Sequence, residues 1–279
     1  MPTINKTIIF LLCLFCFQTA NAQWKKVNSG TFAWFHSVYF VNQNRGWIVG
    51  GNGTLLETND GGSTWKSKPK FTQDTIRDVY FSDEKHGWIL AEKDVFGSYG
   101  SSPSYILETF DGGENWKRVS LEGEGKEKLV KIFFSKDGFG RAVGEAGTFF
   151  AMQDDKTTWK KTSVPVRFLL LNGNFFNQNN GLVVGGGGTA LYTEDGGNSW
   201  NPANFTHKAN GKLNSVFFIN QKIGWAVGAE GKIFTTINGG KLWRWRRSFF
   251  SRGWRFRWFA KGRRAIRRRR RCPSDIPCA

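Results

Sequence analysis

One motif recurs five times along this 279-residue chain, and it constrains the fold more than any other feature of the sequence. Each copy opens with a short apolar strand ending in Phe. A polar turn leads to a Gly-Trp-x-Val-Gly strand, a glycine turn, a third strand, and a Thr-x-Asp-Gly-Gly-x-x-Trp box. The first copy reads Val38-Tyr39-Phe40, then Gly46 to Gly50, then Thr58 to Trp65. The box tryptophans Trp65, Trp116, Trp159, Trp200 and Trp243 stand 51, 43, 41 and 43 residues apart. The long first interval comes from copy two, where 18 residues, not 8, separate Ala91 from the box Thr109. Copy three is degenerate: Arg141 replaces the strand Trp, and Asp155-Lys156 replaces Gly-Gly.

Each unit offers four short strands, A to D, joined by turns rich in Gly, Asn and Asp. One such sheet cannot bury both faces, whereas sheets repeated about an axis pack face to face. The spacing therefore predicts an all-β propeller over residues 23–243, with five recognisable four-stranded blades. In each box the acid (Asp60, Asp111, Asp154, Asp195, and Asn238 in its place) is expected to cap the turn, and the Trp to fill space between blades. The segment Trp24 to Val27 resembles a lone strand D, which would complete the last blade if the ring closes.

The repeat and its boxes resemble the Asp-box (BNR) propellers. The Gly-Trp-x-Val-Gly strand ahead of the box is similar to the photosystem II stability and assembly factor family, exported seven-bladed propellers that assist membrane-protein assembly. The resemblance covers residues 24–243 and implies a truncated propeller with a non-catalytic role in binding a protein or peptide. It does not imply a photosynthetic host.

The ends of the chain read differently from its body. Lys6, the apolar run Ile8–Phe17 and Ala20-Asn21-Ala22 have the order of a secretory signal over residues 1–22, so a secreted, periplasmic or cell-envelope location is expected. Residues 244–279 hold 14 of the 40 basic residues and one acid, which leaves residues 1–243 at a net +5. The body switches from Lys to Arg at this boundary, so the tail reads as disordered or as the product of a shifted reading frame. With the charge of +18 so localised, no nucleic-acid partner is expected. Residues 23–243 contain no Cys, which excludes a disulfide framework or thiolate metal site there. His36, His86 and His207 lie in separate repeats, and no metal or cofactor is expected.

Two other classes compete. Sialidases and some glucanases carry Asp-boxes, but sialidase chemistry needs three converging arginines and a Tyr nucleophile beside a carboxylate. Arg45, Arg77, Arg118, Arg141 and Arg167 are the arginines available in the body, and Asp74, Asp78, Glu92 and Asp94 are the candidate glucanase acids. The third class is a structural cell-envelope propeller with no specific ligand. For a binding protein, the D–A and B–C loops should share the face at the mouth of the axial channel. His36, Arg77, Asp78, Lys131, Asn172 and Asn214 enter strand A there. Phe96 and Tyr99, in the copy-two insertion, should fold over the same face. Arg77 and Lys131 should lie close together and favour an acidic peptide or a carboxylate terminus, with Asp78 working against them.

Overall fold

The computed structural model describes residues 25–93 and 103–246. The signal segment, Trp24, the insertion residues Asp94, Phe96 and Tyr99, and the tail beyond Arg246 lie outside these. Five antiparallel blades follow one another in chain order. Blade 1 comprises β1 (Phe35–Phe40), β2 (Gly46–Gly50), β3 (Leu55–Thr58) and β4 (Lys66–Ser67). Blade 2 comprises β5 (Thr75–Phe81), β6 (Gly87–Glu92), β7 (Ser104–Thr109) and β8 (Lys117–Arg118). A short strand β9 (Leu121–Glu122) precedes blade 3, made of β10 (Leu129–Phe134), β11 (Gly140–Gly144), β12 (Phe149–Met152) and β13 (Trp159–Thr162). Blade 4 holds β14 (Leu170–Phe175), β15 (Gly181–Gly185), β16 (Ala190–Thr193) and β17 (Asn201–Pro202). After β18 (Asn204–Phe205), blade 5 holds β19 (Leu213–Phe218), β20 (Gly224–Gly228), β21 (Ile233–Thr236) and β22 (Leu242–Arg246).

Two details depart from the simple four-strand plan. The linkers leaving blades 2 and 4 do not merely connect. β9 pairs in parallel with β13, and β18 with β22, so each covers the outer edge of the following blade. Blade 5 also completes itself: its strand D is β22, which runs through Arg244 to Arg246, three residues into the stretch expected to be tail. Lys25–Val27 form no strand. The outer-strand role expected of Trp24–Val27 depended on ring closure, and blades 1 and 5 both present open apolar faces instead.

The core lies between blades as four clusters, one per junction. Alternation along each strand sends one set of side chains forward and the other back. Trp47, Val49 and Leu55 of blade 1 thus meet Ile76, Val79, Phe81 and Ile89 of blade 2. The signature residues also make one recurring contact inside each blade. The Phe ending strand A meets the box Trp edge-on in all five, with ring centroids 5.9 to 6.4 Å apart. The glycine opening strand B lies directly under that Phe ring: a Cβ on Gly46 would stand 2.6 Å from Phe40 Cδ1, and one on Gly224 2.6 Å from Phe218 Cδ1. The glycine closing strand B faces a carbonyl at the entry to strand A, that of Trp34, Lys128, Leu169 or Lys212.

The boxes explain the turn chemistry. Thr58 Oγ1 donates to Asp60 Oδ1 (2.8 Å) and accepts from the Gly62 N–H (2.9 Å). The Thr64 backbone N–H (2.8 Å) and hydroxyl (2.6 Å) both donate to Asp60. Asp111, Asp195 and Asn238 likewise accept from the backbone N–H groups of Asn115, Ser199 and Leu242. Blade 3 requires a correction: Asp155, not Asp154, is the cap. It accepts from the N–H groups of Thr157 and Thr158 (both 2.9 Å) and from the Thr158 hydroxyl (2.7 Å). Met152 stands where the box Thr would be, and Lys156 (φ 56°) is left-handed where the other boxes have two such glycines. The turn tightens, and the next acid takes the cap. Asp154 instead accepts from the Gln178 side chain of blade 4.

Candidate functional site: the channel-mouth face

Backbone hydrogen bonds define two faces. On one, an A–B turn carbonyl accepts from a box glycine in four of the five blades: Asn44 from Gly61, Lys85 from Gly112, Asn179 from Gly196 (each 2.8 Å) and Lys222 from Gly239 (3.0 Å). On the other, the B–C turns reach the next blade's entry, as in Gly53 N–H to Asp74 O and Gly147 N–H to Phe168 O, both 2.8 Å. The expected grouping of loops is therefore present.

On this second face every strand A carries a β-bulge at the same register. The A–B pairing shifts between Phe35 and Ser37, Ile76 and Asp78, Leu129 and Lys131, Leu170 and Asn172, and Leu213 and Ser215. The bulged residues are His36, Arg77, Val130, Leu171 and Asn214. A bulge re-aims its side chain away from the regular ladder, which is why such positions gather near functional sites. Of these the sequence singles out His36, Arg77 and Asn214, and in blades 3 and 4 it singles out the residues after the bulge, Lys131 and Asn172; the bulge itself is not legible, although five equivalent positions in a repeat carry the signal.

The residue after each bulge joins a belt across neighbouring blades. Ser37 Oγ donates to Asp78 Oδ1 (2.9 Å), Lys131 Nζ donates to the same oxygen (2.9 Å), and the Ile132 N–H donates to Asp78 Oδ2 (3.1 Å). Further round, Asn172 Nδ2 donates to Ser215 Oγ (3.0 Å). Asp78 is 2% exposed, so it is a structural tie between blades 1, 2 and 3.

Arg77 pairs with Glu92, which also takes Lys128 from the strand-A entry of blade 3. Burial pushes Glu92 up, but the hydrogen bonds and charges of Arg77 and Lys128 outweigh it and hold its carboxyl below the ordinary range. Arg77 and Lys131 thus share one face, but each is paired with an acid: Arg77 with Glu92 inside blade 2, and Lys131 with Asp78 across the blade 2–3 junction. The free cationic patch expected of them is reduced to an excess of one charge over the group Arg77, Lys128, Lys131, Asp78 and Glu92. Burial, aided by Arg77, lowers the His36 pKa from its ordinary value and so favours the neutral imidazole. The copy-two hairpin extends as far as the Lys93 N–H to Pro103 O bond (2.8 Å), and Ser104 Oγ accepts from the Leu129 N–H (2.8 Å).

Beside the bulges, Phe32 and Trp34 are exposed, and residues 31–34 line a cleft of about 330 Å³ against Asn52, Leu56 and Lys70 of blade 1. A second concavity, about 470 Å³, opens on the box face between blades 4 and 5. It is lined by the amides of Asn177, Asn180, Gln221 and Asn238, with Tyr192 and Lys241 at its side, and nothing in the sequence singled it out.

The geometry for sugar hydrolysis is partial. Tyr105 does stand beside a carboxylate, donating to Asp74 Oδ2 at 2.6 Å, but burial first and Asp74 second push its hydroxyl up to about 12. Among the described residues these body arginines pair separately and do not converge. Arg45 pairs with Glu57 and Glu84, Arg77 with Glu92, and Arg118 with Glu124. Arg141 is buried at the blade 3–4 junction, its guanidinium donating to the carbonyls of Gly140 (2.7 Å) and Gln178 (2.6 Å) over the Phe175 ring. Among the described residues no group of three His, Cys, Asp or Glu side chains could hold a metal ion. No helix among them is long and apolar enough to cross a membrane.

Fold and faces together define an Asp-box β-propeller whose inner strands present bulged residues on one face. Comparison with known proteins narrows the class. The model of the family described as photosynthesis system II assembly factor YCF48 matches residues 17–74, 70–161 and 151–248, and the chain belongs to that family. The chloroplast photosystem II stability/assembly factor of Arabidopsis thaliana is 29% identical over 119 residues, 42% of this chain and 28% of that protein. The photosystem II assembly protein Ycf48 of Synechococcus sp. (strain JA-3-3Ab) is 27% identical over 156 residues, 54% of this chain and 43% of that protein. The chain thus spans less than half the length of these relatives. A solved structure of YCF48 bound to a D1 peptide superposes with a TM-score of 0.58 at 22% identity, over 78% of this chain and 69% of that one. The GH74 enzyme of Niastella koreensis gives the same TM-score of 0.58 at 16% identity, over 73% of this chain and 36% of that one. At these identities the superpositions speak to the fold alone.

Proposed function

We propose that the chain is a non-catalytic, exported propeller that binds an extended peptide segment of a client protein on its channel-mouth face. The observation that carries this reading is the row of five bulges at one register. They give a rigid scaffold five re-aimed side chains, His36, Arg77, Val130, Leu171 and Asn214, alongside the exposed aromatics Phe32 and Trp34. Such a surface suits a peptide: aromatic anchors for side chains, and amide or imidazole groups for its backbone. Family membership and the D1 peptide held by a fold neighbour support the same reading. Two relatives described as assembly lipoproteins support an envelope location.

The non-catalytic part rests on the acids. Asp74 accepts from Tyr105, Asp78 is tied by Ser37 and Lys131, and Glu92 is held below the ordinary range, so none of them is set up as a proton-donating acid. The test is fluorescence anisotropy of a labelled D1 peptide, with acidic and basic peptides of equal length as further arms. Trp34→Ala and a variant carrying both Arg77→Ala and Lys131→Ala are compared with the unchanged protein. Weakened binding in either variant supports the site. Binding that is equal in all three proteins sinks it. Release of sugar from chromogenic glycosides, abolished by Asp78→Asn or Glu92→Gln, would overturn the non-catalytic reading.

A further inference from the structure

On the box face the repeat ties its blade junctions with polar side chains, and the junction between blades 4 and 5 departs from this. Between blades 1 and 2, Arg45 pairs with Glu57 (2.7 Å) and with Glu84 of the next blade (3.2 Å), and Asn42 Nδ2 donates to Glu84 (2.9 Å). In blade 2, His86 pairs with Glu108 (2.8 Å). Between blades 3 and 4, the Gln178 carbonyl accepts from Arg141 (2.6 Å) and its side-chain amide donates to Asp154. At the fourth junction Asn177 aligns with Asn42, Asn180 with Arg45 and His86, Tyr192 with Glu57 and Glu108, and Gln221 with Glu84 and Gln178. Among the described residues these four side chains make no hydrogen bond or ion pair across the junction.

Two more substitutions fall at the same place. Trp47 and Trp88 stack or tilt on the strand-A Phe of the next blade, and Arg141 lies over Phe175 in the same way. The smaller Leu182 stands at that position in blade 4, and the junction opens as the cleft of about 470 Å³. In blade 5 the box acid is Asn238. The other boxes use Thr64, Asn115 or Ser199 to engage the second carboxylate oxygen, but Leu242 has no group to do so. Asn238 Oδ1 accepts from the Thr236 hydroxyl and the Leu242 N–H (both 2.9 Å), which leaves its Nδ2 without a partner among the described residues.

We propose that this cleft binds a pyranose unit of a saccharide. Its size falls within the about 300–1,000 Å³ of small-ligand sites. Its unpaired groups are uncharged and of both kinds: the Nδ2 groups of Asn177 and Asn238, Asn180 Oδ1, the whole Gln221 amide and the Tyr192 hydroxyl. A sugar hydroxyl both donates and accepts, so a row of them meets such a mixed set, whereas a simple anion leaves the acceptors unmet. Phe176 and Tyr192 add aromatic surface for the C–H side of the ring. The acid at the cleft, Glu194, is already paired with Lys241 (2.8 Å), and Lys222 adds a donor at the exposed rim. The site lies on the face opposite the bulges, so it holds or fails independently of peptide binding.

Isothermal titration calorimetry on the full chain tests this, with cellobiose, chitobiose, digalacturonate and, as the simple anion, sulfate. Asn238→Asp keeps the capping oxygen, as three other boxes do, and exchanges the free NH₂ for an acceptor. A variant carrying Asn180→Arg, Tyr192→Glu and Gln221→Glu copies the Arg45, Glu57 and Glu84 network into the cleft. The unchanged protein should bind one or more of the disaccharides more tightly than sulfate. Asn238→Asp should weaken that binding by about tenfold, and the triple variant should abolish it. Lack of binding to every disaccharide, sulfate binding as tightly as the sugars, or equal sugar binding in Asn238→Asp overturns the proposal. Near-ultraviolet circular dichroism checks folding; if the triple variant loses its signal, Asn238→Asp decides alone.

Discussion

The contact between the strand-A Phe and the glycine opening strand B makes a quantitative prediction. In Gly87→Ala the new Cβ would lie 2.5 to 2.7 Å from Cδ1, Cε1 and Cγ of Phe81. Carbon atoms in contact stand about 3.5–4.0 Å apart, so the ring must retreat by about an ångström. Phe81 has nowhere to go. It is 0% exposed, stacked on Trp47 at 3.5 Å between centroids, and meets Trp116 edge-on. Overpacking of this kind costs about 1–3 kcal/mol, and a locked ring belongs at the upper end. Loss of glycine's backbone freedom offsets about 0.5–1 kcal/mol. The net expectation is a loss of about 2 kcal/mol, or about 4–8 °C in melting temperature for a domain of this size. Gly46→Ala supplies the control. The clash with Phe40 is nearly the same at 2.6 Å, but Phe40 is 41% exposed on the open face of blade 1 and can swing outward. Its loss should be under about 1 kcal/mol. Urea unfolding followed by tryptophan fluorescence measures both, and Phe81→Leu in the Gly87→Ala background should restore part of the loss. Equal midpoints for the two glycine variants would show that ring confinement is not what the glycine serves.

Asp78→Ala should destabilise by about 2–3 kcal/mol, because it strands the Ile132 N–H and a partly exposed Lys131, and Lys131→Met should cost less; denaturant midpoints give the order. Asp155→Ala should lower the melting temperature more than Asp154→Ala, since Asp155 alone caps the blade 3 turn; calorimetry decides. Acid should weaken the fold over a defined window. The Thr64 hydroxyl and N–H, with Thr58, lower the Asp60 pKa from 3.8 to about 2. At Asp195 burial pulls upward, but Ser199 and Thr193 prevail and again bring it from 3.8 to about 2. Folded values below unfolded ones mean that this stabilisation is complete above pH 4 and is lost as pH falls through 2. Asp195→Asn should flatten the acid limb of a stability-against-pH curve, and an unchanged limb would refute the assignment.

What could be read from sequence was what depends on neighbours along the chain. The box is a local turn, so Thr58, Asp60 and Thr64 declare their roles by spacing. The same counting fails at Asp154, because counting back from Trp159 assumes a turn length that the missing glycines no longer support. Aligning the copies groups His36, Arg77 and Asn214 at one register, since equivalent positions in a repeat share a location. The charge balance there was not legible. Glu92 neutralises Arg77 and Lys128 through a hairpin pairing and a blade junction, neither of which spacing encodes. The triad of Phe, Gly and Trp was present in all five copies and was missed, because its meaning is a contact among three strands.

The parallel strands β9 and β18 divide a uniform repeat into unequal parts. Chain leaving blade 2 is stitched to the rim of blade 3, and chain leaving blade 4 to the rim of blade 5. Those two junctions also bury the larger clusters, eleven and nine side chains, against seven at each of the others. Opening of the array is then expected to start at the 1–2 and 3–4 seams. Blades 2 with 3 and 4 with 5 would exchange amide protons as joint units, and blade 1 would exchange separately and soonest.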